Sequence, residues 1–108
     1  MAHDEVLAAR VRDRLQGAPG LAERKMFGGL VFMTAGHLTV GVYGDDLLAN
    51  VGAADVAAAA AEPGAGRFEM AGRPMRAMIR VAGEALDDPD LERWIGRARA
   101  HVATLPPK

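Results

Sequence analysis

The chain has 108 residues, of which 50% are hydrophobic and 25% charged, with a formal net charge of −1. This length suits a single domain, so we expect one domain over residues 1–108. The small net charge excludes a global attraction to DNA, RNA or an anionic membrane, so nucleic-acid binding would need a local basic patch. Cysteine and serine are both absent, which excludes disulfides, thiolate metal ligands and Ser or Cys nucleophiles.

The N-terminal residues indicate no targeting signal. Met1–Glu5 show no basic segment leading into an apolar one, which a secretory signal requires. No apolar run approaches the roughly 20 residues that span a bilayer. We therefore expect a cytoplasmic protein with no membrane partner.

The first predicted element is a helix, because Leu7, Val11 and Leu15 recur every four residues after a capping Asp4. The hydrophobic period then changes to two, which predicts three strands joined by short turns. The strands are residues 30–34, 37–43 and 47–51, and the turns are residues 35–36 and 44–46. In the second strand we expect Leu38, Val40 and Val42 to share one face.

The second half of the chain predicts a short helix over residues 52–62, two strands and a final helix. The strands are residues 67–71 and 75–81. In the longer one, alternation places Met75, Ala77, Ile79 and Val81 inward and Arg76, Met78 and Arg80 on the opposite face. Asp88 is the expected cap of the final helix, whose apolar stripe consists of Leu91, Trp94, Ile95, Ala98, Val102 and Leu105.

These elements follow in the order α-β-β-β-α-β-β-α. Turns this short require antiparallel neighbours, and strands with one apolar face need helices on that side. The expected fold is therefore an α+β two-layer sandwich, with a five-stranded antiparallel sheet and the helices packed on one face.

Few residues suggest catalysis or metal binding. The three histidines are far apart in sequence and without ligand spacing, so we expect no metal and no cofactor. Asp45 and Asp46 could act as an acid/base pair, but adjacent residues point to opposite sides of a strand, and Asp is common in such turns. An enzyme would have to use these aspartates with His37 and Tyr43, and we expect none.

The hexapeptide Arg24-Lys25-Met26-Phe27-Gly28-Gly29 could be a phosphate-binding loop or the start of a strand. Phosphate loops of the Walker and dinucleotide types lead into a helix, whereas a predicted strand follows these glycines. We therefore expect Gly28 and Gly29 to set backbone geometry and Met26 and Phe27 to enter the core. Only Arg24 and Lys25 stay open to a binding role.

A set of basic residues on or near one sheet face is the remaining candidate site. Arg24, Lys25, Arg67 and Arg73 lie at strand ends that could converge on Arg76, Met78 and Arg80. Such a surface could bind a nucleic-acid backbone or an acidic partner, or form a dimer interface with Tyr43 and Phe32. It could also be an ordinary exposed face balanced by Glu69 and Glu84.

Several motifs together resemble the N-terminal domain of the TfoX/Sxy competence-regulator family. They are Arg24–Gly29, the segment 41–47 with Asp45-Asp46-Leu47, Pro63-Gly64, and Gly72-Arg73-Pro74-Met75-Arg76. The resemblance covers about residues 4–104 and implies the same element order as above. It also implies a link to natural competence, in which family members act with the cyclic-AMP receptor protein at promoters. The chain ends at Lys108, so we expect a stand-alone N-terminal domain.

The expected function is a non-enzymatic regulatory or protein-interaction module. Its partner would be another protein or a second copy, giving a homodimer, and direct nucleic-acid binding is the alternative. The candidate contact residues are Arg24, Lys25, Arg73, Arg76, Met78 and Arg80, and the structural motif residues are Met26, Phe27, Gly28, Gly29, Asp45 and Asp46.

Overall fold

The computed structural model describes residues 3–26, 28–70 and 72–106, in which helices pack on one face of a single sheet. The elements are α1 (Glu5–Arg14), β1 (Ala22–Met26), β2 (Gly29–Thr34), β3 (His37–Tyr43), β4 (Asp46–Asn50), α2 (Val56–Ala60), β5 (Ala65–Met70), β6 (Arg73–Val81) and α3 (Asp88–Val102), with a 3-10 turn at Gly83–Ala85. The α+β class and the antiparallel sheet are as predicted.

Over the described residues the sheet has six strands in the order β1-β2-β3-β4-β6-β5, each antiparallel to its neighbours. The prediction of five strands is therefore wrong, and β1 is the strand that it omits. All five residues of β1 are exposed. A strand with no buried face has no alternation of apolar and polar residues, and that alternation is the signal by which strands are recognised.

The main core lies between the helices and one face of the sheet. It includes Phe32, Val40, Val42, Leu47, Ile79 and Val81 from the strands, and Leu7, Val11, Val56, Leu91, Trp94 and Ile95 from the helices. As predicted, Asp4 caps α1, where its Oδ1 accepts a hydrogen bond from the amide N–H of Val6. The cap of α3 is Asp87 rather than Asp88, and it accepts from the N–H of Asp90.

A second, smaller cluster lies on the sheet face away from the helices. It consists of buried Leu48, Phe68 and Met78, with Leu38, Tyr43 and Met75 packed against them. Leu38 was predicted to share a face with Val40, but the β2–β3 register shifts between Phe32 and Met33 and turns Leu38 over. Met75 was predicted to face inward, and it too lies in this cluster, beside an irregularity in the β5–β6 register. Sequence alternation cannot locate bulges, so both assignments were wrong.

Ion pairs join the helices to the sheet and to one another. Arg12 of α1 donates two hydrogen bonds to Glu23 of β1, at 2.6 and 2.9 Å. Glu62, which follows α2, accepts from Arg93 and Arg97 of α3, and both guanidinium groups lie over the Trp94 ring. Among the residues that the structure describes, no helix is both long enough and apolar enough to cross a membrane.

Candidate functional site

The predicted basic residues lie at two distant places on the sheet. Arg24 and Lys25 are on β1, at one edge, whereas Arg73 and Arg76 are on β6, with three strands between. Because neighbouring strands alternate in direction, the β1–β2 loop and the β5–β6 loop also lie at opposite ends of the sheet. The expected convergence of these residues into one patch is therefore wrong.

Arg80 is held by contacts within the protein. Its Nε donates to Asp46 Oδ2 at 2.5 Å, and its guanidinium carbon lies 5.1 Å from the centroid of the Tyr43 ring. The other oxygen of Asp46 accepts from the amide N–H of Gly83, at 3.0 Å. These contacts tie β4, β6 and the 3-10 turn together. Because Arg80 and Asp46 form an ion pair, their charges largely neutralise each other.

Met78 does not present an apolar contact to solvent. Its side chain is on the face predicted for it, opposite the helices, but only 5% of its surface is exposed. It packs against Leu48 and Phe68 in the second cluster. The expectation of an exposed Met78 in a partner surface is therefore wrong, because β5 and its Phe68 cover that part of the face.

Within the hexapeptide 24–29, Met26 is the last residue of β1 and Gly29 is the first residue of β2. Met26 is 38% exposed rather than buried in the core as predicted, and Phe27 lies outside the described residues. Gly28 has a φ of +75°, which other residues adopt with difficulty. At Gly29 a Cβ atom would collide with the carbonyl oxygen of Val42. The two glycines thus allow the chain to turn and β2 to approach β3.

The outer edge of β1 is the feature that the sequence analysis missed. Glu23 and Lys25 pair with Phe32 and Leu30 and so lie on the helix side, whereas Arg24 pairs with Val31 and lies on the opposite side. Within the described residues, Arg24 and Lys25 make no ion pair. The hydrogen bonds from Arg12 hold the pKa of the Glu23 carboxyl below its usual value, against a smaller effect of burial.

A sequence signal for β1 exists, although it is weak. The pair Gly28-Gly29 stands directly ahead of a clear strand, and glycine pairs are typical of hairpin turns. A strand should therefore precede it, even where charged residues hide the alternation. The helices pack chiefly on β3, β4, β5 and β6, so β1 gains little cover from them.

Of the four residues considered for catalysis, His37 lies apart from the other three, whereas Tyr43 pairs with Asp46 across β3 and β4. His37 begins β3, where its Nε2 is 2.7 Å from the carbonyl oxygen of Pro106, and Tyr43 ends the same strand, about 20 Å away. Asp45 is exposed and lines a cleft of about 380 Å³ together with Asp46, Asp4 and Arg10. Within the described ranges, no group of three or more His, Asp or Glu side chains could hold a metal ion.

Residues 13–102 match the model of the TfoX N-terminal domain. The chain belongs to the TfoX N-terminal domain family. The matched region runs from α1 to the last residue of α3, so the whole sheet, β1 included, lies within the family domain. No curated protein and no solved structure is significantly similar to this chain.

Proposed function

We propose that this TfoX N-terminal domain is a non-enzymatic protein-interaction module that recognises its partner through the outer edge of β1. The observation that supports this proposal most directly is the exposure of all five residues of β1 at the end of the sheet. An edge strand offers a row of backbone N–H and C=O groups to an added strand. Other protein domains bind extended segments in this way, with neighbouring side chains supplying specificity.

A regulatory role is the second part of the proposal. The sequence resembles competence regulators that act with a protein partner at promoters, and membership of the TfoX N-terminal domain family is consistent with such a role. A small domain that works by binding another protein needs no catalytic group. The separation of His37 from Tyr43 along β3 supports a non-enzymatic role.

The arrangement of the basic residues favours a protein partner over a nucleic acid. Arg24 and Lys25 are far from Arg73 and Arg76, and Arg80 already pairs with Asp46. Affinity for a nucleic-acid backbone grows with the number of phosphates neutralised together. Two separate pairs of cations would each neutralise few phosphates, on a chain whose net charge is −1.

Site-specific photo-crosslinking in the native host tests the proposal. The full chain would carry p-benzoylphenylalanine at one position at a time: Lys25 on β1, Arg76 on β6 or Asp13 on α1, all of them exposed. We expect protease-sensitive adducts from position 25 and few from positions 13 and 76. Equal adduct yields at the three positions would contradict a role for β1. Nuclease-sensitive adducts at position 76 would instead favour the nucleic-acid alternative.

A further inference from the structure

The backbone groups that β1 leaves free can be assigned from its register with β2. Met26 and Gly29 flank a two-residue loop, so they form a hydrogen-bonded pair, and such pairs alternate along an antiparallel ladder. Arg24 and Ala22 are then also hydrogen-bonded to β2. The N–H and C=O groups of Glu23 and Lys25 therefore point outward, away from the sheet.

Only a few symmetric pairings of β1 with a second β1 are possible. Residues that pair across an antiparallel ladder must lie on the same face, so a twofold axis has to pass through one residue of the strand. An axis through Glu23 would set Glu23 against itself, and an axis through Lys25 would set Lys25 against itself. An axis through Arg24 sets each Glu23 against the Lys25 of the other copy.

We propose that the partner of the β1 edge is a second copy of this chain, paired antiparallel about Arg24. This inference rests on the proposed interaction function and names its partner. Each Glu23 exchanges two backbone hydrogen bonds with the Lys25 opposite, and their side chains form an ion pair on the helix side. The two sheets then become one continuous sheet.

Charge complementarity selects this arrangement. It creates two attractive Glu–Lys pairs against a single Arg24–Arg24 contact, which lies on the other face. Opposite charges across a ladder are stabilising, and like charges are destabilising. The Glu23 carboxylate already accepts from Arg12, but it has lone pairs left for the lysine of the partner.

The surroundings of β1 permit the approach of a second copy. The main contacts of α1 are with β3, two strands inward, and with α3, and its Arg12 side chain reaches over β1 to bond Glu23. Met26, one of two large hydrophobic side chains described as exposed, lies opposite Ala22 of the other copy and loses part of its exposed surface. Five paired residues bury less than the roughly 1,200 Å² typical of stable complexes, so we expect association that needs high protein concentration.

Charge-reversal variants test both the partner and the register. Sedimentation velocity up to about 1 mM protein would measure association of the wild type, Glu23→Lys and Lys25→Glu; the concentration follows from the small interface. Each single variant sets like charges against each other twice, and we expect its self-association to be at least about tenfold weaker. A mixture of the two variants restores both attractive pairs, so we expect heterodimers close to wild-type affinity.

The matched control for Lys25→Glu is Arg76→Glu, which makes the same charge change at an exposed position on β6. We expect its association to equal that of the wild type. A wild type that stays monomeric at about 1 mM, where a weak interface of this size should assemble, overturns the inference. So does a mixture that associates no better than its two components.

The two proposals fail in different ways. If wild-type protein is monomeric while position 25 still crosslinks to another protein in cells, self-pairing is wrong and the interaction function stands. If position 25 gives no more adducts than position 13, the interaction function through β1 is wrong as well. Dimers that Lys25→Glu leaves intact show a different interface and overturn the pairing about Arg24.

Discussion

The two edges of the sheet are protected in different ways. At the β5 edge, the register with β6 is irregular between Arg67 and Glu69, and α2 packs against both strands. Phe68 of β5 is 1% exposed and anchors the strand in the second cluster. At the β1 edge, the strand pairs with β2 in an unbroken register and all its residues are exposed.

This difference indicates which edge is available for binding. Bulges and packed helices are devices by which proteins prevent unwanted strand pairing, and the β5 edge has an irregular register with β6 and a packed helix. Charged side chains and a short strand also discourage random pairing, and these are the devices of β1. A charged edge differs from a bulged edge in one respect, because it accepts a strand whose charges are complementary. We therefore expect β1 to pair selectively and β5 to accept no further strand.

The largest expected effect is the loss of the Phe68 side chain. Phe68→Ala should lower the free energy of unfolding by about 3–5 kcal/mol, because it empties the centre of the second cluster. Urea denaturation followed by circular dichroism measures this change. The control is Met26→Ala at the β1 edge, where a half-exposed side chain should contribute no more than about 1 kcal/mol. Equal losses of unfolding free energy in the two variants would mean that side-chain packing stabilises both edges to the same extent.

The same contrast explains what the sequence could predict. The stripe of α3 from Leu91 to Val102 was predicted correctly, because a helix that buries one face repeats its apolar residues at fixed intervals. The strands in the middle of the sheet are buried on both faces, and their short apolar runs between turn residues identified them. β1 buries neither face, so its sequence carries no such repeat.

The candidate site was predicted less well than the fold. Of the candidate contact residues, Arg24 and Lys25 are exposed, whereas Met78 is not, because β5 covers it. Whether arginines converge depends on the order and direction of strands, and β1 was not among the predicted strands. A bulge that turns Leu38 to the other face leaves no mark in the pattern of residue types. Local periodicity therefore predicts elements better than it predicts surfaces.

A second effect should distinguish the glycines near the two edges. Gly29→Ala places a Cβ against the backbone oxygen of Val42, which cannot move without disturbing β3, so we expect a loss of about 1–3 kcal/mol. Gly66→Ala on β5 meets no atom within 4 Å, and an alanine there should be neutral or stabilising by up to about 1 kcal/mol. Thermal or urea denaturation of both variants checks the prediction. A harmless Gly29→Ala would show that β2 does not need its close approach to β3.

A smaller effect concerns the pH dependence of stability, to which the ion-paired carboxylates Glu62, just before β5, and Glu23, on β1, contribute. Hydrogen bonds from Arg97 and Arg93 hold the pKa of Glu62 below its usual value of 4.5, and those from Arg12 do the same for Glu23. A lowered pKa in the folded protein stabilises it above the usual pKa, and this stabilisation is lost as the pH falls through the folded value. The unfolding free energy of the wild type should therefore decrease below about pH 5.

Glu62→Gln and Glu23→Gln should each remove part of that decrease. Both carboxylates are about one-third exposed, so we expect losses at pH 7 of no more than about 1 kcal/mol. The effect should be larger for Glu62, which accepts from two arginines. Urea denaturation at several pH values measures it, with the exposed Glu69→Gln as the control. An unchanged pH dependence in both variants would refute the role of these ion pairs.

The smallest effect is on amide hydrogen exchange, and it compares the two edges within one protein. The outward N–H groups of Glu23 and Lys25 become hydrogen-bonded only when a second copy is paired with β1, so their exchange should slow severalfold as protein concentration rises. Arg67 of β5 pairs with Ile79 of β6. Because hydrogen-bonded and non-hydrogen-bonded pairs alternate along the strands, this pair has no backbone hydrogen bonds, and the N–H of Arg67 also points outward. Its amide should exchange at the same rate at every concentration, because the irregular β5–β6 register and the packing of α2 disfavour a further strand at that edge. Exchange followed by NMR at low and high protein concentration resolves the three amides separately. Slower exchange at Arg67 would show that the β5 edge also pairs with a second copy. Unchanged exchange at Glu23 and Lys25 would show that the β1 edge does not.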